Sequence, residues 1–170
     1  MLTRRAAITG AAALATGCAA VRLPQQAAAS GLVTRDGAAL RLDGRRYRFA
    51  GANMWYAAYL GADAPFGDRD RLKRELDRLA ALGVGNVRLL ASSDASPLRG
   101  SIGEATFRGR TGAYNETLLQ GLDFTLAELG RRGMKAVLYL TNFWEWSGGM
   151  MTYLSWTNGG RYLDMNDPAH

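Results

Sequence analysis

Histidine and cysteine each occur once in the 170 residues, as His170 and Cys18. No disulfide can form within the chain, and no Cys/His metal site can be built. A Ser-His-Asp or Cys-His relay would have to use the last residue. Any chemistry therefore falls to carboxylates, with amides, cations and aromatic rings around them, and no cofactor is implied. Such side chains gather in three short segments. The first is Gly51-Ala52-Asn53-Met54-Trp55-Tyr56. The second is Asn86-Val87-Arg88-Leu89-Leu90. The third runs from Asn142 through Trp144, Glu145 and Trp146 to Gly148-Gly149, with Tyr153 and Trp156 just beyond. Arg88 is a charge set inside an apolar run, which makes a plain surface arginine the weaker reading. Each tryptophan serves a core as readily as a ligand.

The elements that must carry these segments follow from periodicity. Asp36-Gly37 and Asp43-Gly44 are tight-turn dipeptides between short alternating stretches (Leu32 to Thr34, Leu40 to Leu42, Tyr47 to Phe49), which predicts a small antiparallel hairpin. It leads into a first inner strand over Phe49 to Asn53. Leu72, Leu76 and Leu79 recur at spacings of four and three, predicting a helix over Asp68 to Leu82 that Gly83 ends. Asn86 to Ala91 reads as a buried parallel strand. A long loop occupies residues 92 to 113. Asn115 caps a second helix over about 116 to 131, with Leu118, Leu122, Leu126 and Leu129 as its stripe. Lys135 to Thr141 is a third strand, and no clear period follows. Alternating β and α elements with apolar strands imply a parallel sheet with right-handed crossovers. A dinucleotide-binding fold lacks its Gly-x-Gly-x-x-Gly turn here, since the first strand runs into Gly51-Ala52-Asn53-Met54-Trp55-Tyr56.

The Asn-x-Trp-Tyr, Asn-Val-Arg and Asn-x-Trp-x-x-x-Gly-Gly segments, in that order at strand ends, resemble glycoside hydrolase family 5, and within it the endo-β-1,4-mannanases. The resemblance spans about residues 31 to 165. It implies an α/β fold: the N-terminal part of a (β/α)8 TIM barrel, about three β/α units with a leading β-hairpin. Active sites of such barrels lie at the C-terminal ends of the strands. The resemblance further implies cleavage of a β-mannan or related polysaccharide with retention of configuration. Arg88 matches the family arginine that hydrogen-bonds the nucleophile and helps keep it ionised. Asn53, Trp55, Tyr56, Asn142, Trp144 and Trp146 are the substrate-binding candidates. The tryptophans offer flat faces to sugar rings, and Gly148-Gly149 permit a tight turn beside the sugar path.

Retaining glycosidases need two carboxylates roughly 5 Å apart. In the resembled family these are Glu residues at the ends of the fourth and seventh strands, and this sequence stops after its third. Glu116 follows Asn115, but a helix cap with a first-turn acid explains that pair. Glu145 and Asp94 have no partner carboxylate in sight. No catalytic carboxylate is therefore assigned in this chain. The 170 residues alone are expected to be inactive as a mannanase, and poorly soluble or molten because outer strands are left unpaired. The complete protein is expected to be a monomer. Two alternatives stay open: a non-catalytic exported polysaccharide-binding protein, and the same barrel acting on cellulose or another β-glycan.

Residues 1–29 read as an export signal, leaving 30–170 as the partial barrel domain. Arg4-Arg5 supply the positive start, and Ala6 to Ala15 form an apolar stretch too short to anchor in a bilayer. Thr3-Arg4-Arg5 resembles a twin-arginine start. Leu14 to Cys18 loosely resembles a lipoprotein cleavage site, with Ala15 departing from the usual Leu. Cys18 either carries a lipid, which would be the protein's one membrane tie, or is discarded by cleavage after Ala27-Ala28-Ala29. The expected destination is outside the cytoplasm: secreted, periplasmic or held at the envelope. Net charge is +6, but the cations alternate with acids, as in Asp68-Arg69-Asp70-Arg71. No like-charge run marks a nucleic-acid arm.

Overall fold

Two reversals open the domain. Gly37 has φ of 57°, and Asp43 and Gly44 have φ of 50° and 74°. Positive φ in a two-residue connection matches the twist of paired strands, so the chain folds into a meander of β1 (Thr34–Asp36), β2 (Ala39–Leu42) and β3 (Arg45–Arg46). Its strands lie a little off the segments that the alternation suggested, because the first turn is made by Gly37-Ala38, with Asp36 opposite Ala39. The computed structural model describes residues 31–96, 100–103, 105–110, 112–164 and 167–169. The expected leader, Cys18 and His170 lie outside them.

The meander is tied to a second sheet. The Tyr47 hydroxyl donates to the Gly85 carbonyl at 3.2 Å, and Lys135 Nζ donates to the Gly31 carbonyl at 2.9 Å. This second sheet holds β4 (Ala50–Asn53), β5 (Val84–Leu90) and β6 (Lys135–Tyr139), all parallel, with β5 in the middle. Register fixes the faces. Asn53 stands opposite Arg88 and Arg88 opposite Val137, while Leu90 stands opposite Tyr139. Side chains alternate along a strand, so Asn53, Arg88, Val137 and Tyr139 share one face. Val87 and Leu89, fully buried, face the helices on the other.

Helix α2 (Arg69–Ala81) starts where the Asp68 carboxylate accepts from the Arg71 amide at 2.8 Å, and the chain leaves it through Gly83 at φ 78°. Helix α3 (Glu116–Arg131) starts where Asn115 Oδ1 accepts from the Thr117 and Leu118 amides at 3.1 and 3.3 Å. Leu72 and Leu76 of α2 and Leu118, Leu122 and Leu129 of α3 fill the core against Val87 and Leu89.

Two helices carry no sequence signal of the expected kind. Helix α1 (Ala57–Gly61) is one turn long and packs backbone to backbone on α3. A Cβ at Gly61 would overlap the Gly121 carbonyl, and a Cβ at Gly121 would overlap that of Ala58. Thr125 Oγ1 seals the crossing by donating to the Ala57 carbonyl at 3.0 Å. Helix α4 (Gly149–Thr157) follows a 3-10 turn at Glu145–Ser147. Its buried side is Gly149, Thr152 and Ser155, while Met150 and Leu154 face outward. An apolar stripe is what periodicity detects, and here the inward stripe is small and polar.

Candidate functional site

At the C-terminal end of the sheet, strand alternation sets a cation between an amide and a ring. Arg88 Nη1 donates to Asn53 Oδ1 at 3.3 Å, and its guanidinium lies 3.7 Å from the centre of the Tyr139 ring. Burial pushes the Tyr139 phenol up, with the Arg88 charge opposing it. Arg88 is exposed on this face. Among the described residues no carboxylate forms an ion pair with it. A fixed guanidinium with donors to spare can take a carboxylate presented from above the sheet.

Beside it stands an aromatic wall. The Trp55 ring packs edge-on against Trp146 at 5.1 Å, against Tyr56 at 5.6 Å and against Tyr59 at 6.1 Å. Behind them the Tyr59 hydroxyl shares a hydrogen bond with Ser93 at 2.9 Å, and burial pushes this phenol up to about 12. Trp55 keeps 38% of its surface exposed and Trp144 60%. Phe143 packs against Trp144 at 5.6 Å. Flat, partly open indole faces of this kind accept the apolar side of a ring-shaped ligand.

Two of the residues singled out above are also bonded within the protein. The Tyr56 hydroxyl donates to Glu75 on α2 at 2.8 Å, with Arg71 over its ring. It lines, with Asn53, Glu75 and Arg78, a cavity of about 230 Å³ between β4 and α2. Asn142 braces its own loop: Nδ2 donates to Ser147 Oγ at 2.8 Å, and Oδ1 accepts from the Trp144 amide at 3.3 Å. Gly148 and Gly149, at φ 119° and 72°, make the turn that follows. Glu116 lies in the first turn of α3, directly after its Asn115 cap. Glu145 opens the 3-10 turn.

Sequence reasoning set Asp94 aside, and the structure gives it a central place. It is 3% exposed. Its carboxylate accepts from Arg108 Nε at 2.7 Å and from the Tyr153 hydroxyl at 2.6 Å. The hydrogen bond to Asp94 raises Arg108, and burial followed by Asp94 pushes the Tyr153 phenol up to about 12. Only the 59-residue separation of Asp94 and Tyr153 closing in space reveals this group, and no local motif announces it. Among the described residues no group of three or more His, Cys, Asp or Glu gathers as a metal site, and no helix is long and apolar enough to cross a membrane.

A parallel β/α succession whose strand ends present a cation, an amide and aromatic rings on one face is the opening part of a (β/α)8 barrel. Comparison with known proteins makes this specific. A family model described as glycoside hydrolase family 5, β-mannosidase-like, matches residues 30–168, and the chain belongs to that family. A glycoside hydrolase family 5 mannosidase from Rhizomucor miehei superposes with a TM-score of 0.69 at 34% identity, over 76% of this chain and 32% of its own. Its E202A mutant, solved with mannosyl-fructose, gives 0.67 at 36% identity, over 72% and 30%. The rice protein named mannan endo-1,4-beta-mannosidase 4 (Oryza sativa subsp. japonica) is 32% identical over 88% of this chain and 32% of its own length. The chain thus spans about a third of the relatives it matches.

Proposed function

We propose that this chain supplies the first strands of a retaining β-1,4-mannan hydrolase of the endo-mannanase type. The observation that carries the reading is the Arg88–Asn53 pair on the open face of the sheet, 3.3 Å apart and unmatched by a carboxylate among the described residues. Family membership and relatives named mannan endo-1,4-beta-mannosidases support it. In this reading Arg88 hydrogen-bonds a nucleophilic carboxylate contributed by a strand outside this chain and favours its charged form. Asn53 and Tyr139 fix the guanidinium. Trp55, Trp144 and Trp146 flank the sugar path, and Asn142 holds the loop that presents Trp144 and Trp146. The acid/base carboxylate comes, like the nucleophile, from a strand beyond the three described here.

A second reading has a specific basis. The Rhizomucor miehei proteins at 34–36% identity are mannosidases, so removal of single mannose units from short chains competes with internal cleavage. The protein expressed from its complete reading frame decides. Reducing ends released from linear β-mannan with a rapid fall in viscosity mark internal cleavage, whereas mannose alone marks the exo mode. Arg88→Lys should keep binding and lower kcat by roughly 100-fold, the scale of a lost charge-directing donor. An unchanged kcat would refute the role given to Arg88.

The same proposal has the protein exported through its Arg4-Arg5 leader and working as a monomer. Cys18 is either lipidated or removed with the leader. The mass of the N-terminal peptide of the mature protein separates the two outcomes.

A further inference from the structure

We infer that Asp94 is a positioning residue for the aromatic wall, acting through the turn that carries Trp146; its bearing on substrate rests on the functional reading above. Three sets of bonds converge there. The Asp94 amide donates to the Ser147 carbonyl at 3.0 Å, and the Ile102 amide donates to the Trp146 carbonyl at 2.7 Å. Consecutive carbonyls of the Trp146 turn are thus held by the segment that joins β5 to α3. The Asp94 carboxylate holds that segment in turn, through Arg108 Nε at 2.7 Å, and grips α4 through the Tyr153 hydroxyl at 2.6 Å. Contact is close enough that a Cβ on Gly148 would lie 2.7 Å from the Asp94 Cβ. From Ser147 the brace continues to Asn142 at 2.8 Å and from Asn142 to the Trp144 amide at 3.3 Å.

A buried carboxylate with two charge-assisted bonds resists displacement, because losing either partner leaves it desolvated and unsatisfied. Arg108 is shared in the same way, lying 5.4 Å from the centre of the Tyr153 ring and 5.2 Å from that of Trp156. Asp94 touches no reacting atom in this scheme. It fixes the distance between Trp146 and Trp55, rings that sit on segments 91 residues apart in sequence.

That distance has its own spectroscopic signature. Two indoles 5.1 Å apart and inclined at 68° couple their transitions and give a paired positive and negative band in far-ultraviolet circular dichroism. The test uses the complete protein with Asp94→Asn, with Tyr153→Phe as the milder variant that loses one hydroxyl and keeps the ring. The expected result is loss of at least half the couplet in Asp94→Asn and a partial loss in Tyr153→Phe. The KM for manno-oligosaccharides should rise about tenfold at nearly constant kcat. Glu128→Gln is the control for general destabilisation: it lowers the melting point while couplet and KM stay put. An unchanged couplet in both Asp94 and Tyr153 variants overturns the inference whatever the activity. A lost couplet with unchanged KM overturns its bearing on substrate. A parent protein inactive on every β-mannan sinks the functional reading instead, and the couplet still reports whether Asp94 sets the ring pair.

Discussion

Replacing Glu128 by Gln should cost stability at neutral pH and almost none in acid. Glu128 sits in the last turn of α3, 4% exposed, and its carboxylate pairs with Arg131 and, at 2.7 Å, with Arg132 Nη1. Arg132 reaches on to Asp77 of α2 at 2.8 Å and toward the Lys73 carbonyl at 3.4 Å. The Arg131 hydrogen bond, working against desolvation and joined by Arg132, lowers the Glu128 carboxyl from 4.5 to about 2. A depression of that size corresponds to about 3 kcal/mol of folding stability. The cover over the carboxylate is two long arginine side chains, one of them 59% exposed, so water screens the pairs. About 1 to 2 kcal/mol is the figure to expect. The sign follows from the depressed value: the contribution is complete above the unfolded carboxyl range and is lost as pH falls from about 4.5 towards about 2. Urea midpoints of parent and Glu128→Gln, measured on the complete protein from neutral pH downward, should therefore draw together below about pH 4.5 and converge only near about pH 2. A gap of equal size at both ends of the range would show that Glu128 acts by packing alone and would refute the electrostatic reasoning.

Other outcomes follow from the same packing. Gly121→Ala places a methyl group against the Ala58 carbonyl and 2.7 Å from the Ala62 amide nitrogen. A loss of about 1 to 3 kcal/mol is expected, read as a lower thermal midpoint. Tyr56→Phe removes the 2.8 Å bond to Glu75 and should cost about 1 kcal/mol. It should leave KM for mannan substrates unchanged, and a raised KM would return Tyr56 to the sugar path.

The sequence alone determined the order of inner strands and helices in this protein, because local signals carried it. Leucine spacing marked α2 and α3 to within a residue or two, Asp68 and Asn115 supplied their caps, and short apolar runs marked β5 and β6. It also marked Asn53 and Arg88 as exceptional, since a polar residue within an apolar run stands out against the period; Asn53 ends β4, and Arg88 lies two residues before the end of β5. Tertiary structure decided the rest. Helix α1 exists because Gly61 and Gly121 let two backbones meet, a fit between partners 60 residues apart. Helix α4 can turn a small polar stripe inward because Thr152 and Ser155 bond the helix's own carbonyls, of Gly148 and Thr152, while its N-cap Gly148 lies against Asp94. Tyr56 and Asn142 carry side chains suited to sugars, and it was folding that brought them Glu75 and Ser147 as hydrogen-bond partners, at 2.8 Å in each case. Asp94 could be read from its neighbours in sequence only as a loop acid. Its charge became useful when folding brought Arg108 and Tyr153 to it, which is a property of distances in space and not of spacing along the chain.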